Sequence, residues 1–218
     1  MDESIKGKWL GVVRSPGDLR TVGDERGCYG VHAALLKSGR VILWSGRVES
    51  SGYLYRSWTW DATSFSEGDT ELEGVQGRWF LSDFDIGGSN ESPPGPVPRW
   101  SNERTIDLFC AHHTNLEDGR LLVVGGAGGR SEGDARGNPA IYFYDPDAEQ
   151  WTKADEELRR GRWYPTPVTL ADGRVAVFSG RQNGSNNPER SAEIIGAPNF
   201  SPTEIDGGRK ELYIYPGM

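Results

Sequence analysis

The sequence predicts an all-β chain assembled from repeated antiparallel sheets, and three observations carry that prediction. Its 30 glycines and 13 prolines are too many for a helical protein, and no stretch sustains the apolar three- and four-residue spacing of an amphipathic helix. Eight tryptophans and eight tyrosines favour pleated, half-buried surfaces. Finally, three segments align with one another without a gap, each reading as a strand, a glycine turn and a second apolar strand.

The first segment is His32-Ala-Ala-Leu-Leu-Lys-Ser-Gly39-Arg40-Val-Ile-Leu-Trp-Ser-Gly46. The second is His112-His-Thr-Asn-Leu-Glu-Asp-Gly119-Arg120-Leu-Leu-Val-Val-Gly-Gly126, and the third is Thr166-Pro-Val-Thr-Leu-Ala-Asp-Gly173-Arg174-Val-Ala-Val-Phe-Ser-Gly180. A Ser-Gly or Asp-Gly step between two apolar runs is a strong short-range hairpin signal, so three hairpins of one design are expected. After the second copy, Ile141-Tyr-Phe-Tyr144, a turn at Asp145-Pro146-Asp147 and a return strand containing Trp151 complete a four-stranded sheet. Looser second hairpins are expected at 58–65 after the first copy and at 192–200 after the third.

One such sheet cannot bury both faces alone, so the copies must stack. Repeats of this length and punctuation are those of a kelch-type β-propeller, here with about three four-stranded blades. Gly39 and Gly119 are 80 residues apart but Gly119 and Gly173 only 54, so residues 67–104, rich in Gly, Ser and Pro, are read as an insertion or loop within the first repeat. Tyr213-Ile-Tyr215-Pro216 repeats the Tyr164-Pro165 step that opens the third copy. Residues 1–218 are therefore expected to form an incomplete propeller domain, an N-terminal fragment that enters a fourth repeat and takes the remaining propeller segment as its partner.

Charge and composition exclude several classes. A formal net charge of −8 leaves no basic stripe to neutralise phosphates, so neither nucleic acid nor an anionic membrane is expected as a partner. Met1-Asp-Glu-Ser-Ile-Lys-Gly-Lys8 lacks the apolar run of a signal peptide, and no apolar stretch is long enough to span a bilayer, which leaves the compartment open. Two cysteines, Cys28 and Cys110, are too few for a disulfide framework. Gly125-Gly-Ala-Gly-Gly129 follows an apolar strand but leads into a loop sequence rather than a helix, so it reads as blade punctuation and not as a dinucleotide loop. Carboxylates are scattered through turns, and no serine sits in a nucleophile elbow.

Cys110 and Tyr164 are 54 residues apart, the same spacing that separates the second and third copies. Equivalent positions on adjacent blades lie side by side, which would bring the thiol and the phenol near the mouth of the central channel. His112, two residues beyond Cys110, would share its side of an unbroken strand. Its equivalence with His32 points to a structural hydrogen-bonding role, and a lone Cys/His pair is a weak metal signal.

Two stretches, Asp107-Leu-Phe-Cys110-Ala-His-His-Thr-Asn-Leu-Glu-Asp-Gly-Arg-Leu-Leu-Val-Val-Gly-Gly126 and Gly161-Arg-Trp-Tyr164-Pro-Thr, resemble the copper-radical oxidases of the galactose oxidase and glyoxal oxidase type, and the first copy is similar to the opening blade of bacterial members. The resemblance implies that Tyr164 is the copper-ligating radical phenol and Cys110 its thioether partner. It implies oxidation of a primary alcohol or aldehyde by dioxygen, giving hydrogen peroxide, with a small alcohol, aldehyde or carbohydrate as substrate. The family's other ligands, a further tyrosine and two histidines, come from later in the chain, so these residues alone are expected to be inactive. Gln182 stands about where galactose oxidase places an aromatic that stacks on the cross-link. The alternative is a non-catalytic kelch binding module that holds a carbohydrate or a protein with loops such as 47–55 and 181–190.

Overall fold

A computed structural model describes residues 32–44, 56–61, 78–83, 107–127, 137–182, 188–205 and 212. Among them all regular structure is β, arranged as three four-stranded antiparallel sheets. The first sheet is β1 (His32–Leu35), β2 (Val41–Trp44), β3 (Arg56–Asp61) and β4 (Arg78–Asp83). The second is β5 (Asp107–Asn115), β6 (Leu121–Ala127), β7 (Asn138–Asp145) and β8 (Gln150–Arg162). The third is β9 (Thr166–Thr169), β10 (Val175–Phe178), β11 (Glu193–Ile195) and β12 (Thr203–Glu204). In every sheet, strands that follow one another in the chain are hydrogen-bonded neighbours.

The three expected hairpins form, and they form alike. Leu36, Leu116 and Leu170 each donate their backbone N–H to the carbonyl of the arginine four residues on, at 2.8, 2.9 and 2.7 Å. The turn glycines Gly39, Gly119 and Gly173 sit at φ of 80°, 89° and 82°, the left-handed region where a side chain is penalised. In the second and third hairpins the Asp118 and Asp172 carboxylates also accept from the backbone N–H and Nε of Arg120 and Arg174.

The second hairpins follow the pattern with two corrections, of which one is small: in the third sheet β11 finds its partner at Thr203–Glu204, just beyond the expected 192–200. Tyr144 pairs with Trp151 and Asp145 with Gln150 around the expected turn. In the first sheet, however, β3 finds its partner at β4 and not within 58–65. The intervening residues are polar and glycine-containing, whereas Trp79-Phe80-Leu81 is the next run suited to a pleated strand. The outer strand of the first sheet is thus drawn from inside 67–104, and the rest of that stretch lies outside the described residues.

Burial explains the order of the sheets. Along β1 and β2, Ala34, Leu36, Ile42 and Trp44 are buried while the residues between them are not, which is the period of two that a one-sided sheet requires. They pack on Leu121, Val123, Tyr142, Tyr144 and Trp151 of the second sheet. The opposite face of that sheet, with Leu122, Val124, Ile141, Phe143 and Leu158, packs on Val175, Val177, Ile195 and Phe200 of the third. The second sheet is therefore central, and Leu121-Leu-Val-Val124 is a continuous apolar run because both of its faces are covered. Each fully buried Leu or Val contributes about 1.5–3 kcal/mol.

Polar contacts fix how the sheets meet. Trp151 Nε1 donates to Ser57 Oγ at 2.8 Å across the first junction. Asn115 Nδ2 donates to the Leu35 carbonyl at 3.4 Å and Thr169 Oγ1 to the Asn115 carbonyl at 3.1 Å, so residues in matching repeat positions are linked in series. At the second junction a fully buried ion pair joins Arg162, the last residue of β8, to Glu193 of β11 at 2.8 Å. The guanidinium also donates to the carbonyls of Ser179 at 2.7 Å and Ser191 at 2.9 Å, and the second carboxylate oxygen accepts from the Arg159 N–H at 2.7 Å.

Removing one member of a buried, hydrogen-bonded pair leaves the other charged and unpaired. Glu193→Ala is expected to lower the unfolding free energy by about 3–5 kcal/mol in urea titration. Glu157→Ala, which breaks the surface pair Lys153–Glu157, should cost less than about 1 kcal/mol. Equal losses from the two would refute a special role for Arg162 and Glu193.

Candidate functional site

The segment Arg162-Trp163-Tyr164-Pro165 carries the candidate site from the second sheet into the third. Trp163 and Arg181 exchange two backbone hydrogen bonds of 2.8 and 2.7 Å, extending the junction one residue past the ion pair. The next N–H, that of Tyr164, donates to the Cys110 carbonyl at 3.0 Å. The structure therefore brings the backbones of Cys110 and Tyr164 together.

Both residues share an uncommon backbone. Cys110 has φ of 62° and Tyr164 of 60°, in the left-handed region that costs a non-glycine residue of order 1–3 kcal/mol. At Cys110 this coincides with an irregularity in the β5–β6 ladder, between Asp107 and Ala111. Cys110 is 3% exposed, while Tyr164 is half-buried. The Tyr164 ring lies 4.5 Å from that of Trp163, centroid to centroid, tilted by 43°, and the Arg181 guanidinium stands 5.6 Å over the Trp163 ring.

Gly125, at φ 75°, makes this approach feasible. A Cβ there would lie 2.4 Å from the Arg162 carbonyl oxygen and 2.7 Å from Pro165 Cγ. This glycine is thus needed for close passage of the Tyr164 segment, a stronger requirement than blade punctuation. Trp163 lies in the stretch 161–166 that carries the family resemblance and Arg181 opens the loop 181–190, but the sequence assigns neither a role of its own. Trp163 does carry a signal, since it adjoins Tyr164 and is aromatic, but nothing local predicts that Arg181 folds back over it. Gln182 is present at the site through its carbonyl, which accepts the Gly137 N–H at 3.0 Å. Of the two loops considered for binding, 47–55 lies outside the described residues and 181–190 is described only at 181–182 and 188–190.

Regular alternation is interrupted at Cys110 by its left-handed φ and the ladder irregularity. His112 reaches the third sheet, where Nδ1–H donates to the Pro165 carbonyl at 2.9 Å, beside the Tyr164 N–H that Cys110 holds. His113 packs edge-on against Trp44 at 5.1 Å, and His32 stacks on the same ring at 5.0 Å. The three histidines of the sequence thus serve the sheet junctions. Among the described residues no group of three His, Cys, Asp or Glu side chains is placed to hold a metal ion. A copper ion prefers imidazoles with oxygen donors in a tetragonal set, and the described residues do not supply that set around Tyr164.

No family model matches the sequence. The chain is 35% identical over 98 residues to a WSC domain-containing protein of Arthroderma benhamiae, covering 41% of this chain and 10% of that protein. It is 33% identical over 116 residues to an aldehyde oxidase, GLOX, of Vitis pseudoreticulata, covering 50% of this chain and 21% of that protein. The matched part thus spans between about a tenth and a fifth of these curated relatives. Among solved structures, a copper-bound fungal alcohol oxidase of the AA5 family aligns with a TM-score of 0.48 and 14% identity, over 78% of this chain and 29% of its own. The sequence likeness supports a distant relationship with the galactose oxidase and glyoxal oxidase group.

The histidines give the first junction a pH dependence whose sign can be worked out. Burial, and next the nearby His112, lowers both His32 and His113 from 6.5 to about 4, with a hydrogen bond to the Leu108 backbone partly opposing the effect at His32. As pH falls below 6.5 the unfolded chain takes up protons that the folded chain refuses until about 4, so this stability is complete above 6.5 and lost across that interval. Urea titrations at pH 7 and pH 5 should differ by about 1–2 kcal/mol on this account, after discounting for partial exposure. The His32→Gln/His113→Gln variant should flatten the difference; an unchanged slope would exclude these two groups.

Proposed function

We propose that this chain is a segment of a copper-radical oxidase of the galactose oxidase and glyoxal oxidase type. Its three sheets are three blades of a kelch-type propeller, and Cys110 and Tyr164 are the pair that becomes cross-linked. One observation carries the reading. Two residues in matching repeat positions, a cysteine and a tyrosine, are joined by the Tyr164 N–H to Cys110 carbonyl bond and share the same left-handed backbone. Strained non-glycine residues persist where the surroundings over-determine them, and they gather at functional sites. The sequence likeness to an aldehyde oxidase supplies the chemical class.

In this reading the Cys110 sulfur bonds to the ring carbon of Tyr164 ortho to its oxygen. One S–H and one C–H bond break, and dioxygen accepts the two electrons and two protons as hydrogen peroxide. Burial of Cys110 keeps the sulfur from competing thiol chemistry, and Trp163 limits the positions open to the phenol. Tyr164 would contribute its oxygen to copper in the completed site, with the other ligands supplied from outside the described residues. The intact oxidase would convert a primary alcohol or small aldehyde, with a carbohydrate alcohol within the same class, and these 218 residues alone would not turn over.

Intact-mass spectrometry of the full chain after exposure to copper(II) and oxygen tests the pair. The expected result is loss of two hydrogen atoms, with Cys110 no longer titratable by a thiol reagent. The mass is read after disulfide reduction and the link assigned by peptide mapping, since a bridge between Cys110 and Cys28 would also remove two hydrogens. Cys110→Ser should retain the full mass. An unchanged mass in the parent chain, with Cys110 still titratable, overturns the cross-link.

A further inference from the structure

We infer that Arg181 holds an oxidising equivalent on Tyr164 by setting its guanidinium against the indole of Trp163, the neighbouring ring to which that equivalent would otherwise pass. This role rests on Tyr164 being the radical phenol of the proposed function, and it falls to a residue that the proposed function leaves without one. The backbone assembles the three side chains. Trp163 and Arg181 exchange both of their backbone hydrogen bonds, at 2.8 and 2.7 Å, and directly paired residues of an antiparallel ladder project their side chains to the same face. The guanidinium accordingly stands over the indole at 5.6 Å, within cation–π range.

Tyr164 reaches the same indole by a different route. In an unbroken strand consecutive side chains point to opposite faces, which would carry the phenol away from Trp163. The left-handed φ of 60° at Tyr164 breaks that alternation, and the two rings meet at 4.5 Å with a tilt of 43°. Arg181 is held in turn from its far side, where it bridges to Pro188 and the Glu189 N–H donates to the Gly180 carbonyl at 2.7 Å. Cation, indole and phenol thus form one series, and the backbone bonds that fix it use none of the three side chains.

A one-electron oxidant takes an electron from Tyr164 while the phenolic proton leaves to water, and a neutral phenoxyl radical results. Indole and phenol side chains are oxidised with similar ease, so an indole 4.5 Å away is a route of escape. Along that route Trp163 gives up an electron, the phenoxyl takes it together with a proton from water and becomes phenol again, and the indole is left as a radical cation. Its positive charge would face the guanidinium, a permanent cation, and meet a repulsion that the neutral phenoxyl does not. Before oxidation the same guanidinium is attracted to the neutral indole, so both ends of the transfer favour keeping the radical on Tyr164. Trp163 is half-buried, which limits the screening of that repulsion.

Radiolysis of the full chain in azide solution, without copper, tests this role. Each azide radical is a neutral oxidant that takes one electron and becomes azide. No copper is present to form the Cys110–Tyr164 link, so either assignment can fail without the other. Peptide mapping then gives the ratio of oxidised Trp163 to oxidised Tyr164. Arg181→Gln is expected to raise that ratio by at least about twofold, the least that loss of an exposed cation–π contact implies. Arg181→Lys, which keeps the charge, should stay near the parent value. Both variants should retain the far-ultraviolet circular dichroism spectrum, since backbone bonds hold the segment. An unchanged ratio in Arg181→Gln overturns the assignment. Equal gains in the Gln and Lys variants also overturn it, because both uncover the indole but only one removes the charge.

Discussion

The buried pair of Arg162 and Glu193 is the constraint on which the second half of the structure depends. Moving two charges out of water costs several kcal/mol per ion, and mutual attraction offsets that only when nearly every remaining donor and acceptor is used. Here they are used. The guanidinium serves Glu193 and two carbonyls, and the carboxylate serves the guanidinium and the Arg159 N–H. An apolar pair would fill the same volume without direction. The ion pair specifies one alignment of the end of β8 against β10 and β11, and hence where Trp163 and Tyr164 emerge.

Around that pair the backbone packs more closely than side chains permit. A Cβ on Gly137 would lie 2.2 Å from the Arg162 nitrogen. Several glycines that look like loop composition therefore belong to one junction. The central sheet adds the other requirement, apolar residues on both faces, so among the described residues the stack is densest in the middle. Stability is concentrated where three layers meet, and the least protected apolar side chains lie on the outer faces.

The hairpins were legible because their determinants are local. A period-two pattern, a turn glycine with positive φ and a following arginine all lie within about fifteen residues, and they recur. The pairing of β3 with β4 was not legible, since a ladder partner is chosen by strand propensity across an intervening stretch and not by distance along the chain. The relation of Cys110 to Tyr164 could be read because the repeat length converts sequence separation into spatial adjacency. Their shared left-handed backbone could not be, because a positive φ at a non-glycine residue has no signature in the local sequence. Arg162 and Glu193 were invisible for a simpler reason. A buried charge has no sequence signature until its partner, 31 residues away, is known to face it.

A cysteine and a tyrosine held in strained backbone would relax if their neighbours allowed it. Three contacts prevent this at Tyr164: its own N–H is held by Cys110, its neighbour Trp163 is paired on both sides with Arg181, and the residue before that is anchored by Glu193. The strain is thus maintained by the junction and not by the pair itself. Consequently, the placement of the phenol relative to the thiol is only as sharp as the alignment of the second and third sheets. Any chemistry between them inherits its geometry from an ion pair that touches neither reacting atom, which makes Arg162 and Glu193 positioning residues and couples the candidate site to the stability of the fold.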